Sequence, residues 1–243
     1  LRQAQPSVDE VLKQADLAMY RAKNAGRNTL RFFDPDMQEA INQRARLETE
    51  LHDGLRLEQF LLLYQPQVDS TGRVTGAEAL LRWQRPDQGL ASPALFIPLA
   101  EETGLILPLG QWALETALFQ QARWRDDPRL AHLTLAINVS ARQFHQSDFV
   151  TQVLELLERT GADPARIKLE LTESLLLEDV DGVIATMRAL KAHGVGFSLD
   201  DFGTGYSSLS YLKRLPLDQI KIDQGFVHDV MLDPKDAAIA HTI

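Results

Sequence analysis

Leu133–Ser140, LTLAINVS, is a strand whose two faces disagree. Period-two alternation puts Thr134, Ala136 and Asn138 on one face and Leu135, Ile137 and Val139 on the other. The same test divides Ile167–Ser174, IKLELTES, into Lys168 and Glu170 against Ile167, Leu169 and Leu171. It divides Gly194–Asp201, GVGFSLDD, into Gly196, Ser198 and Asp200 against Val195, Phe197 and Leu199. QIKID, residues 219–223, repeats the pattern with Gln219, Lys221 and Asp223 against Ile220 and Ile222. Strands of a doubly wound sheet are apolar on both faces, whereas barrel strands can point polar side chains into a shared mouth at their C-terminal ends. The fold class predicted is α/β, a TIM-like barrel.

Working outward, FLLLYQPQV (60–68) and TGAEALLRW (75–83) are strands joined across DSTGR, which reads as a hairpin. Beyond them strands and helices alternate, with helices expected at about 93–103, 108–125, 141–160 and up to about 193; this alternation predicts parallel βα units. Upstream, Ser7 and Glu10 form an S-x-x-E capping box, helical periodicity runs to about Lys23, and Gly26 offers a left-handed stop. TLRFF (29–33) is a short strand candidate. A polar, charge-rich helix from Pro35 to about Gln59 reads as a connector, which places a boundary there.

Composition narrows the classes. The chain has 243 residues, 44% of them hydrophobic, and a formal net charge of -9. It can bury a large core, and its acidity argues against a nucleic-acid polymer as partner. The lack of Cys removes disulfides, thiolate zinc sites and a cysteine nucleophile, which fits a reducing cytoplasm. The six His residues show no H-E-x-x-H spacing, so a zinc hydrolase is not supported. The N-terminal helix carries charges throughout and is neither a signal peptide nor a spanning segment, so no membrane contact is expected from this chain.

The polar faces carry the chemistry. Glu78, Glu170, Asp200 and Asp201, with Asn138, would crowd several oxygens into one partly desolvated cavity, where like charges must protonate or bind cations. Hard oxygen ligands suit Mg²⁺ or Mn²⁺. The adjacent Asp200 and Asp201 can serve two ions, the usual apparatus for phosphodiester hydrolysis. A competing reading comes from GTGYSS (203–208), a G-x-G-x-x-S after a strand that mimics a dinucleotide-cofactor fingerprint. Its third glycine is missing, and the Asp pair would face a pyrophosphate with no cation between them.

GAEALLRW with Glu78, NVS with Asn138, ELTES with Glu170 and Glu173, DDFGTGYSS, and KID with Lys221 together resemble the EAL-domain phosphodiesterases of bacterial signalling, which hydrolyse cyclic di-GMP to the linear dinucleotide. The resemblance covers about residue 47 to the C-terminus. It implies a modified TIM barrel whose first strand runs antiparallel. It further implies that Glu78, Asn138, Glu170 and Asp200 hold one ion, that Asp200 and Asp201 contribute to a second, and that Lys221 orients the attacking water. Gln65 and Arg82 match substrate-contacting positions, and Glu173 matches a glutamate that anchors the loop after the Asp pair, where Gly203 and Gly205 let the chain bend. A receptor that binds cyclic di-GMP without cleaving it is the alternative within the family, and intact ligand motifs favour catalysis.

Upstream, ADLAMYRAKNAGRNTL resembles the last helix and strand of a GGDEF domain without its catalytic loop. The expected organisation is therefore a GGDEF remnant at 1–33, a linker helix at 34–46 and an EAL domain at 47–243. About six strand candidates stand against the eight of a closed barrel, so the EAL domain is expected to be C-terminally incomplete, ending in DPKDAAIAHTI as the start of a helix, and this chain is expected to hydrolyse cyclic di-GMP feebly if at all. The resemblance also implies a homodimer through the EAL domain, and the Cys-free composition a cytoplasmic location.

Overall fold

The computed structural model describes residues 7–24, 30, 32–173, 175, 179–202, 212–223, 225 and 227. Gly26, the loop carrying Gly203 and Gly205, and the segment DPKDAAIAHTI lie outside them. The chain divides into two compact units, Leu1–Arg56 and Leu57–Ile243.

The first unit holds helices α1 (Val8–Asn24) and α2 (Pro35–Arg56), which pack on one another. TLRFF was expected as a strand, but its described residues Leu30, Phe32 and Phe33 are irregular. A strand needs a ladder partner, and none is present for this segment among the described residues of the unit.

The second unit is the α/β body. β1 (Phe60–Val68) and β2 (Val74–Arg85) form the expected hairpin, with Gln65 opposite Glu78. Asp69 organises its turn, its carboxylate accepting from the backbone N–H groups of Thr71 and Arg73. A short β3 (Gly89–Ala91), which the alternation test did not find, pairs antiparallel with β2. The remaining strands are β4 (Thr134–Asn138), β5 (Ile167–Thr172), β6 (Gly196–Phe202) and β7 (Gln219–Ile222). The sheet order is β1-β2-β4-β5-β6-β7, and every pairing from β2 to β7 along this path is parallel. This is a modified TIM barrel in topology, with its first strand antiparallel. No hydrogen bonds close β7 onto β1 among the described residues.

The apolar faces identified from alternation form the core. Leu135, Ile137, Ile167, Leu169, Leu171, Phe197 and Leu199 are all buried. They lie in one cluster with residues of helices α4 (Ile106–Arg125), α6 (Phe149–Thr160) and α7 (Val180–Lys191). Each such side chain contributes about 1.5–3 kcal/mol by leaving water, which fixes which strand face looks outward and so forces the polar face inward. On the hairpin, Phe60 and Trp83 stack at 5.6 Å and meet Phe96 of α3 (Pro93–Thr103). α3 starts with Ser92 before Pro93 and ends at Gly104, whose φ of 83° is the left-handed stop glycine takes without strain.

One helix departs from expectation. The segment 141–160 is two helices, α5 (Ala141–Phe144) and α6, with a break between them. Phe144 and Phe149 are five residues apart, which on one continuous helix would point them about 140° apart. The break lets both enter the core, with ring centroids 5.2 Å apart. α5 begins with a capping box, the Ser140 hydroxyl accepting from the Gln143 backbone N–H while the Gln143 side chain accepts from the Ser140 N–H. Gln143 lies against Gly110 of α4, where a Cβ would overlap its amide. The turn that follows Asn138 is thereby fixed against α4.

Candidate functional site

Five polar residues meet at the C-terminal ends of the parallel strands. Glu78 comes from β2, Asn138 from the end of β4, Glu170 from β5, Asp200 from β6 and Lys221 from β7. Carboxylate oxygens of Glu78, Glu170 and Asp200 lie within 4.8 Å of one another. Lys221 Nζ donates to Glu170 Oε2 at 2.6 Å, to Glu78 Oε2 at 2.7 Å and to Asp200 Oδ2 at 3.4 Å. Asn138 Nδ2 donates to Glu78 Oε1 at 2.9 Å. Lys221 is the ion-pair partner of both glutamates, while Lys168 Nζ bonds Gln219 Oε1 at 2.6 Å.

Asp200 and Asp201 owe their position to an irregularity in the sheet. Along the β6–β7 ladder Leu199 pairs with Ile220 and Phe202 with Ile222, so two residues, Asp200 and Asp201, oppose the single residue Lys221. This is a β-bulge, which re-aims the chain where it occurs. Asp201 takes φ 53°, the left-handed region that Asp tolerates better than most residues. The bulge is what allows Leu199 and Phe202, three residues apart, both to be buried on the helix side. The signal lay in the sequence: an apolar spacing of three, rather than two, across the Asp pair.

Burial and crowding set the electrostatics. The Glu170 side chain has no solvent exposure, against 18% for Glu78 and 24% for Asp200. Burial, which Lys221 offsets only in part and the Glu78 and Asp200 charges reinforce, pushes the Glu170 carboxyl up to about 7. Burial also works to raise Glu78, but there the hydrogen bonds from Lys221 and Asn138 prevail and hold it below the usual carboxylate range. Asp201 is raised by burial and by the Asp200 and Asp223 charges. For Lys221 burial acts downward, and the hydrogen bonds to Glu170 and Glu78 outweigh it, so its ammonium is held above its ordinary value.

The residues fit a cation. Glu170 Oε1 is buried and has no hydrogen-bond partner among the described residues. A carboxylate oxygen in that state is costly unless a positive charge completes it. Three carboxylates share one lysine, an excess of negative charge and oxygen ligands suited to a hard metal ion. This cluster can hold a metal ion.

The other sequence candidates stand around this cluster. Glu173 is buried just past β5. Gln65, exposed, faces Glu78 across the hairpin, and Arg82, half-buried, lies four residues beyond Glu78 on the same strand face. Arg82 Nη1 donates to the Leu81 carbonyl at 2.8 Å, and no hydrogen bond joins Gln65 or Arg82 to the cluster among the described residues. Sequence reasoning missed Ser198, buried with its hydroxyl unpartnered on the polar face of β6. Alternation places it on that face, but it was not among the site candidates.

Similarity to known proteins agrees with this geometry. The chain is 44% identical over 235 residues to the bifunctional diguanylate cyclase/cyclic di-GMP phosphodiesterase MucR of Pseudomonas aeruginosa, covering 96% of this chain and 34% of that protein. It is 40% identical over 233 residues to the cyclic di-GMP phosphodiesterase PdeR of Escherichia coli, covering 96% of this chain and 35% of the relative. The chain thus spans about a third of the length of these curated relatives. Among solved structures, that of the PaMucR phosphodiesterase in complex with c-di-GMP superposes with a TM-score of 0.78 at 45% identity, covering 82% of this chain and 80% of that one. With residues 48–243 matching the EAL domain and the carboxylate cluster assembled from its strand ends, the chain belongs to the EAL domain family.

Proposed function

We propose that this chain hydrolyses cyclic di-GMP to linear pGpG with two divalent ions, Mg²⁺ or Mn²⁺. The observation that carries the reading is the convergence of Glu78, Glu170 and Asp200 within 4.8 Å around one lysine, with Glu170 Oε1 unpartnered. Glu78, Asn138, Glu170 and Asp200 hold one ion, and Asp200 with Asp201 contributes to the second. When bound, such ions supply Lewis-acid charge at the phosphate and a water acidified into the neutral range. In the overall reaction one water adds across the phosphodiester, a P–O bond forms, the P–O3′ bond breaks and O3′ gains a proton.

The protein's own groups divide the remaining work. Lys221 keeps its proton on Nζ, because its carboxylate partners raise its pKa, so it orients water and charge and does not serve as base. Asn138 donates through Nδ2 to Glu78, which leaves Oδ1 as its ligand atom. Arg82 offers a planar fork to a phosphate oxygen and Gln65 a hydrogen bond to the substrate. Glu173 anchors the loop that follows Asp201. Residues 1–33 are a GGDEF remnant joined by a linker helix at 34–46 to the EAL domain at 47–243, and the protein works in the cytoplasm as a homodimer. The relatives named as bifunctional or as cyclic di-GMP phosphodiesterases support this reading. No helix among the described residues is long and apolar enough to cross a membrane.

The test is to incubate the chain with cyclic di-GMP and Mn²⁺ and follow linear dinucleotide. Turnover abolished by excess chelator is the expected result. Binding of cyclic di-GMP without turnover would instead make the domain a receptor, and turnover indifferent to chelator would end the two-ion reading.

A further inference from the structure

The strand register sets Asn138, Glu170, Ser198 and Gln219 side by side in one row across β4, β5, β6 and β7. In a parallel sheet, residues paired in register point to the same face, and this is the face that carries the carboxylate cluster. The outer members of the row are committed elsewhere, since Asn138 Nδ2 bonds Glu78 and Gln219 Oε1 accepts from Lys168 Nζ. The inner two are not. Glu170 Oε1 and Ser198 Oγ are both buried, both without a hydrogen-bond partner among the described residues, and belong to register-paired residues on adjacent strands. Paired strands lie about 4.8 Å apart, a span that one water can bridge, and buried polar atoms without a partner are the usual hosts of an ordered internal water. The helix side of the same strand offers Ser198 nothing polar, because its neighbours Phe197 and Leu199 fill the apolar core.

We propose that Ser198 is a positioning residue of the ion site: its hydroxyl holds one buried water that donates to one lone pair of Glu170 Oε1, leaves the other to the cation and so fixes the orientation of that carboxylate. This rests on the two-ion reading above. Groups that orient metal-ligating carboxylates from behind typically govern metal affinity by about 10–100-fold.

The experiment compares Ser198→Ala, which removes the hydroxyl, and Ser198→Cys, which keeps the volume but donates weakly, with the unaltered chain. Mn²⁺ affinity is measured by titration calorimetry without substrate, alongside the melting midpoint of each metal-free protein. Both variants are expected to bind Mn²⁺ about tenfold more weakly, with metal-free midpoints no lower than that of the parent. Equal Mn²⁺ affinity in all three proteins would overturn the role of Ser198 and leave the two-ion reading standing. Weaker binding in Ser198→Ala alone would also overturn it, because a lost volume and not a lost hydrogen bond would be the cause. A parent chain that binds no Mn²⁺ would remove the two-ion reading and this inference with it.

Discussion

Two groups of ionised side chains in this molecule obey opposite rules. At the turn after α4, a partly exposed Asp127 faces the solvent-exposed Arg129 through two hydrogen bonds, at 3.1 and 2.8 Å, one acid to one base. Those bonds, together with the Arg129 backbone N–H, bring the Asp127 carboxyl down to about 2. At the strand ends, three carboxylates share Lys221, and the most buried of them is pushed up to about 7. The first arrangement satisfies its charges locally and needs nothing more. The second remains negative in excess and keeps a buried oxygen without a partner. Excess charge held in place by a rigid sheet is the mark of a site built for a ligand that the chain itself does not supply.

Breaking the strand-end cluster has the largest expected effect. Asp200→Asn should lower linear dinucleotide formation by about three orders of magnitude, since ion-supplied charge stabilises the transition state by several kcal/mol. The same change at Asp127 should leave the rate unaltered. Because one of several crowded charges is removed, the melting midpoint of metal-free Asp200→Asn should not fall.

Removing the shared cation comes next. Lys221→Met leaves three facing carboxylates uncompensated, so the metal-free protein should lose about 2–4 kcal/mol of stability in denaturant unfolding. Saturating Mn²⁺ should raise the midpoint of this variant by more than it raises that of the parent, because the ion replaces the missing positive charge. A smaller rise would mean that Lys221 does not stand in for a cation. Turnover should fall about a hundredfold even with the ion bound.

The comparison sharpens with pH. Glu170 has a folded-state pKa of about 7 against an ordinary value of 4.5. Between those values the folded chain carries a proton that the unfolded chain has lost. Its contribution to stability is thus complete below the ordinary value and disappears as pH rises through about 7, a loss of about 1–3 kcal/mol. Glu78, held below the usual range, acts in the opposite sense, its contribution being lost as pH falls. The measurement is therefore the difference between parent and Glu170→Gln in metal-free unfolding from pH 4 to pH 8, on the order of the shift itself. Mn²⁺ affinity of the parent should climb over the same interval, because the ion binds the deprotonated carboxylate. A flat difference would place Glu170 with Asp127, as an ordinary ionised acid.

Smallest of all is the effect at the solvated pair. Arg129→Ala should leave turnover and Mn²⁺ affinity unchanged and move the melting midpoint little, because exposed ion pairs are screened by water and salt. A large shift there would show that the contrast between the two groups is not one of burial.

Much of this was legible in residue order. Alternation in LTLAINVS, IKLELTES and GVGFSLDD assigned the buried and polar faces that the structure displays, because period two is a property of the extended backbone itself. The hairpin of β1 and β2 followed from a turn-rich pentapeptide between two strand runs. The bulge was legible too, in the three-residue spacing of Leu199 and Phe202, although alternation alone passed over it. The break between α5 and α6 was not read, because a helical period leaves Phe144 and Phe149 on different faces and only the shape of the core demands both.

What residue order by itself determined is the inventory: acids and amides at strand ends, one face of each strand for the core and the other for chemistry. Alternation put both lysines on the polar face, and the fold decided their partners: Lys221 reaches Glu78 across 143 residues while Lys168, two residues from Glu170 on the same strand, bonds Gln219 instead. The elevated Glu170 carboxyl and the orphaned Ser198 hydroxyl were decided in the same way. Desolvation and register are set by the neighbours that pack around a group, and those neighbours come from distant parts of the chain, where no local pattern can specify them.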